Sequence, residues 1–525
     1  MTAMTDYKNE RDRLARLYNT TDKIIDVPDS SVEIHNCHYT STFPVEYNDG
    51  GVMRGNLYYF ELSQGGKEEN INFVYPVVVP KGHQDKPFDK AVLFFHGLNE
   101  RSWDKYLPWA KFIAERCERP VIMFPIAYHI NRSPKSWSNP RNMREVVSQR
   151  SAEKLSSTFA NAALSTRLEK NPEKFLISGI HSYYDVLDIV GSIKAGLNPL
   201  FVKGTHVDIF SYSIGAFLAE ILLLNNGGDL FCDSRLAIFC GGCTFDSMYG
   251  ISKYIMDEKA YESVMSLNNS KALRRMGRNF VGATKSMHFR HSWDAIGLMM
   301  NEKERCAERE KLIGRYAHNI YAIALEEDKV MPYRKIVRTL KGRKGDLPTR
   351  VEVMDLPFEY SHENPFPTGD EGVQSLVNRA FNLIFGNISN FYLIGDSVRE
   401  KAERYRLEKS ERAEAVERER REKAERIRAA KLAKQQAEEQ AKGEEREEKA
   451  RKKEARKVRR AQIKEAKMTA KAERKAVKAE RKAVKVEQKA ELKAERMAAK
   501  AERKAAKQAA KSEKKKMDSR VDEAK

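Results

Sequence analysis

Four stretches of the chain are apolar almost without interruption: Ala91–Phe95, Pro120–Pro125, Leu236–Cys240 and Ile320–Leu325. A fifth, Val207–Phe210, is broken only by Asp208. Runs this short are too brief for buried helices and predict strands covered on both faces of a parallel sheet. Between them the periodicity changes. Apolar residues at helical spacing predict helices near Lys8–Leu17, from Pro108 to Arg116, over Ser157–Leu168, Ile180–Leu197, Phe217–Leu224 and Ile336–Leu340, and from Val373 to Phe385. Asn56–Leu62 and Ile71–Pro80 read as a hairpin at a sheet edge, where proline is tolerated, and Val351–Leu356 alternates like an edge strand. Residues 18–50 show no element and are expected to be irregular. Strands alternating with helices predict an α/β sandwich around a mostly parallel sheet.

In such sheets, ligands sit beyond the carboxyl ends of the strands, so the residues just past each strand are the chemical candidates. They are His96-Gly97-Leu98, Tyr128 and His129, Ser213, Cys240–Asp246, Asp328 and His362. Ser211-Tyr212-Ser213-Ile214-Gly215 joins a strand to a helix, a shape that lifts the Ser213 hydroxyl above the sheet and aims free helix N–H groups at an anion. A serine, an acid and a histidine in that order suit a nucleophile, an orienting carboxylate and a base. The acid is left open among Asp328, Glu326, Glu327 and Asp246. His96 suits a structural turn. His129, Arg132 and Trp137, with Tyr128, suit either a grip on substrate or the pinning of a loop.

Over about residues 55–386 the chain resembles the α/β-hydrolase superfamily. The likeness is carried by His96-Gly97 after a strand, Ser211–Gly215, Asp328-Lys329-Val330-Met331-Pro332 after a strand, and Tyr360-Ser361-His362. The run His96–Trp109 with His129-x-Asn131-Arg132-x-Pro134-x-x-Trp137 resembles an uncharacterised bacterial branch and brings no substrate with it. The resemblance implies Ser213 as nucleophile, Asp328 as acid, His362 as base, the N–H groups of Ile214 and Leu98 as the oxyanion hole, and residues 244–316 as a helical cap. It implies a serine hydrolase acting on an ester, thioester or amide of a small acyl substrate, without a cofactor. The alternative is a silent hydrolase-fold scaffold whose tail contacts an anionic partner.

Charge divides the chain. Residues 401–525 hold 45 Lys and Arg against 26 Asp and Glu, a net of +19 out of +20 for the whole. The first 400 residues are therefore close to neutral, as befits an enzyme or binding domain. The expected organisation is a polar segment at 1–54, a hydrolase-like domain at 55–390, and a charged helical tail at 398–525. From Lys471 the tail repeats Lys-Ala-Glu-Arg-Lys-Ala-Val, placing Ala472, Ala476, Ala479 and Ala483 on one narrow stripe. That pattern suits a solvated helix of about 190 Å, a weak coiled coil for self-association, or an arm on an anionic surface. Six cysteines are too few for a disulfide framework, and Cys240-Gly-Gly-Cys243 alone supplies two of about four zinc ligands, so no metal is expected. With neither a spanning apolar run nor a signal-peptide core, the expected setting is cytoplasmic.

Overall fold

The computed structural model describes residues 4–43, 67–82, 86–225, 229–269, 271, 273–278 and 287–397, with scattered positions between 418 and 475. The expected strand Asn56–Leu62 and nearly all of the tail lie outside these residues. By internal packing the chain divides into 1–404 and 405–525. In the second unit the described positions, among them Arg418, Arg421 and Gln462–Glu465, are helical and exposed.

The first unit is built on nine strands: β1 (Ile24–Asp26), β2 (Val32–Thr40), β3 (Asn72–Pro80), β4 (Phe88–Phe95), β5 (Val121–Phe124), β6 (Phe201–Tyr212), β7 (Leu236–Phe239), β8 (Ile320–Leu325) and β9 (Arg350–Met354). Their order across the sheet is β1-β2-β3-β5-β4-β6-β7-β8-β9. From β5 to β9 every pairing is parallel, and β1 to β3 add an antiparallel flank. Helices cover both faces. This is the α/β-hydrolase arrangement that the sequence resembles, with one extra antiparallel strand at the edge. The fully buried runs in β4, β5, β7 and β8 are the ones whose unbroken apolarity marked them.

Three expectations about the elements need correction. Residues 18–50 are not irregular throughout: β1 and β2 lie there, and Val32, Ile34 and Asn36 are buried at every second position. And β3 is no edge strand, since it lies between β2 and β5 and pairs with both. Pro76 survives there because β5 pairs only with Val77 and Val78, leaving the proline outside that ladder. The closing helix is also longer than its pattern suggested, covering 374–397. No helix among the described residues is long and apolar enough to cross a membrane.

Two stretches roof the carboxyl ends of the strands. One, between β5 and β6, carries the helices Pro140–Ala152, Ala162–Lys170 and Lys174–Ala195; the other, between β7 and β8, carries Glu258–Met265, Met287–Met299 and Cys306–Tyr316. The sequence places the cap in the second stretch alone, but the two are tied together. Arg150 donates twice to Asp257, at 2.5 and 2.7 Å. Asn161 donates to Ser252 O, and Asn99 below donates to both Ala160 O and Tyr254 O.

Candidate active site

β6 ends at Tyr212, and Ser213 turns the chain straight into the helix Ile214–Leu224. That turn gives Ser213 φ 58° and ψ −125°, a conformation that costs a non-glycine residue about 1–3 kcal/mol. Close packing holds it there. A Cβ at Gly215 would sit 2.7 Å from His96 O, so only glycine lets the helix start this near β4. A Cβ at Gly241 would sit 2.9 Å from Ser213 O and 2.6 Å from Ala216 Cβ. Ser211, where a first glycine would be usual, is small enough for its place, and its hydroxyl reaches Ala237 O at 3.4 Å.

Ser213 Oγ lies 2.6 Å from Nε2 of His362, in the loop after β9. The opposite nitrogen, Nδ1, lies 2.7 Å from Asp328 Oδ2, in the turn after β8. Asp328 Oδ1 accepts from the amides of Val330 and Met331, at 2.9 and 2.8 Å, so the carboxylate is fixed before the imidazole meets it. A carboxylate only accepts, which puts the ring proton on Nδ1 and leaves the Nε2 lone pair toward the serine hydroxyl. All three residues are buried. Of the carboxylates the sequence left open, Asp246 instead takes Thr244 Oγ1 and the Glu302 amide, while Glu326 and Glu327 face solvent. Asp328 is the one that meets His362.

Tyr212 went unnoticed beside its neighbour. Its ring stacks on His362 at 5.4 Å and 15°, and its hydroxyl donates to the His362 carbonyl. Lys105 sits over the rings of Tyr212 and Tyr106 and donates to Glu100 and to Glu363 O, bracing the same loop.

Ser213 opens on a cavity of about 440 Å³ walled by Phe245, Met248, Met256, Val264, Val330 and Met331. A second cavity, about 690 Å³, runs between the helices Ala162–Lys170, Lys174–Ala195 and Ile214–Leu224. Leu98, Phe175 and Ile214 border both. Ile214 is the first residue of its helix, so its N–H has no acceptor within that helix.

Of the five residues expected to contact substrate, His129 alone lines either cavity. His96 is fully buried. Its Nδ1 donates to Gly97 O and its Nε2 accepts from the Ile126 amide, joining the turns after β4 and β5. Burial pushes its pKa down to about 3, so it stays neutral. Trp137 stacks on Tyr128, between the guanidinium groups of Arg101 and Arg167. Arg132 is fully buried, donates to the carbonyls of Asn70 and Pro125, pairs with Asp185 at 2.7 Å and lies over the Phe73 ring. It pins the loop after β5 rather than gripping an anion. The same Asp185 belongs to a second buried group, in which Ser41 Oγ lies 2.8 Å from His181 Nε2 and 2.5 Å from Asp185 Oδ1. Cys240 and Cys243 are buried free thiols, and burial pushes both well up from the usual thiol range.

Among solved structures, the chain is similar to the peroxisomal alpha-beta-hydrolase Lpx1 of Saccharomyces cerevisiae, at 12% identity and a TM-score of 0.35 over 69% of this chain and 90% of that one. It is similar to an esterase of Pyrobaculum calidifontis, at 9% identity and 0.35 over 74% and 91%. It is also similar to the acylaminoacyl peptidase of Pyrococcus horikoshii, at 12% and 0.33 over 60% and 39%. The fold rests on the strand order above, not on these likenesses. No curated protein matches the sequence. One family, described as a family of unknown function (DUF6051), matches residues 7–393, and the chain is a member of that family.

Proposed function

We propose that the chain is a serine hydrolase that cleaves an ester, thioester or amide through an acyl-enzyme. What carries the reading is the unbroken hydrogen-bond line from Ser213 Oγ through His362 to Asp328. In this scheme His362 Nε2 takes the Ser213 proton as Oγ attacks the acyl carbon. Asp328 holds the imidazole tautomer and stabilises its charged form. The amides of Ile214 and Leu98 receive the oxyanion, where one donor is worth about 2.7–4 kcal/mol of barrier. His362 then hands the proton to the leaving group, and a water deprotonated by the same nitrogen releases the acid. Aliphatic, aromatic and Met walls on both cavities suit apolar groups on the substrate.

An activated-serine probe, a fluorophosphonate, tests this. The wild type is expected to be labelled and Ser213→Ala is not. A well-folded wild type that stays unlabelled favours the scaffold reading instead. The tail's net charge of +19 supports a separate role, contact with an anionic partner. That contact weakens steeply with salt and is lost on truncation after Asp396; binding that persists in the truncated chain overturns it.

A further inference from the structure

The larger cavity has apolar walls from Leu98, Ile126, Leu164, Phe175, Phe217 and Ile221, and a few polar side chains among them. Most of these are already engaged. Ser178 donates to Lys174 O and accepts from Arg167, whose guanidinium lies over the Tyr128 ring, and Tyr183 receives Asn225. His129 differs. It is 95% buried, and its Nδ1 is held by Ala127 O at 2.9 Å, while Nε2 has no hydrogen-bond partner among the described residues. A carbonyl only accepts, so Nδ1 carries the ring proton and Nε2 presents a lone pair. Burial, with His96 beside it, pushes the ring well below the usual histidine range and keeps it neutral. A buried acceptor without a donor is costly, and a ligand that brings the donor recovers that cost.

We infer that this cavity binds an apolar chain bearing one neutral hydrogen-bond donor, a hydroxyl or an amide N–H, which His129 Nε2 receives. The inference rests on the hydrolase reading only in taking that chain to be part of the substrate, since Leu98 and Ile214 carry the cavity to the edge of Ser213. A carboxylate at this nitrogen faces a lone pair with a lone pair. An ammonium loses its hydration among leucines and isoleucines. A plain alkyl chain fits the walls but leaves Nε2 unmet, so the site discriminates by function rather than by size.

Calorimetric titration of the full-length Ser213→Ala protein tests the site without asking for turnover. The ligands are methyl octanoate, a series of methyl hydroxyoctanoates with the hydroxyl at successive positions along the chain, and an amide-bearing analogue of equal length. At least one donor-bearing ligand is expected to bind roughly ten-fold more tightly than methyl octanoate, as one net hydrogen bond allows. That preference disappears in a His129→Phe background and survives in part in His129→Asn, whose side-chain oxygen still accepts. Equal binding of all ligands, no binding of any, or a preference that persists in His129→Phe overturns the inference. The first two outcomes are read without changing His129, so a folding defect in the variant does not shelter the idea. Fluorophosphonate labelling of the wild type reports on the hydrolase reading separately, so either can fail alone.

Discussion

Among the described residues two buried Ser–His–Asp groups occur, and they are wired in opposite directions. At Ser213 the carboxylate of Asp328 holds the far nitrogen of His362, and the near nitrogen is left to accept the serine proton. At Ser41 the far nitrogen of His181 faces Asn70 Nδ2, because Asn70 Oδ1 already takes the Tyr128 amide. His181 Nδ1 therefore accepts, its Nε2 carries the proton and donates to Ser41 Oγ, and Ser41 in turn donates to Asp185. Arg132 closes the ring on Asp185. One group is a line with a free end at a cavity, the other a loop with none. The two groups share composition and contact and differ in the direction of their hydrogen bonds, which supports the proposed role of Ser213 over Ser41. The backbone agrees, since Ser213 sits at φ 58° at a helix start, whereas Ser41 directly follows β2.

The contrast breaks most sharply at the serines. With a matched acyl ester, Ser213→Ala is expected to lower kcat by about 10⁶-fold. Fluorophosphonate should label Ser41→Ala as fully as the wild type; labelling at Ser41 would erase the distinction. Asp328→Asn disturbs the tautomer and is expected to cost roughly 10⁴-fold in kcat, whereas Asp246→Asn leaves kcat near that of the wild type. In the closed group the penalty falls on stability. Arg132→Met strands a buried carboxylate and should cost about 3–5 kcal/mol in denaturant unfolding. The pH profile offers a finer test. Burial pushes Asp185 up to about 6, with Arg132 and Ser41 pulling it back. The folded state then holds this proton where the unfolded chain has released it, so unfolding free energy falls as pH rises from about 4 to about 6, by at most ~1.4 kcal/mol per pH unit. Asp185→Asn should flatten that slope. Ser41→Ala removes one neutral partner and is the mildest change, about 1–2 kcal/mol.

The parts of the molecule that were legible in the chain are those where one local pattern decides the outcome. Ala91–Phe95 and Ile320–Leu325 can only be doubly covered strands, and strand order then brings the residues after them to one edge. That sufficed to bring Ser213, Asp328 and His362 into one short list. Alternation in Val32–Thr40 was present but diluted by Asn36 and His38 at the positions that continue Val32 and Ile34, and Asn36 finds its partner, Asn19 O, only once the fold exists. Arg132 stayed open between gripping an anion and pinning a loop because its partner Asp185 lies 53 residues away on another helix. Tyr212 could not be aimed, because side-chain direction at a sharp turn depends on the turn. The half of the roof between β5 and β6 carries no motif, and its place beside the other half follows from Arg150 meeting Asp257, more than a hundred residues later.

That clamp has a consequence for how new specificities could arise on this scaffold. The roofing part of the chamber walls is encoded in two blocks, residues 139–200 and 244–319, separated by the block that encodes Ser213 itself. Recombination that imports one roofing block from a divergent relative parts Arg150 from Asp257 and leaves a chamber with mismatched halves. Exchanging both blocks together keeps the clamp whole. In a recombination library, the two roofing blocks are expected to be inherited as a linked pair, while the sheet beneath them stays constant.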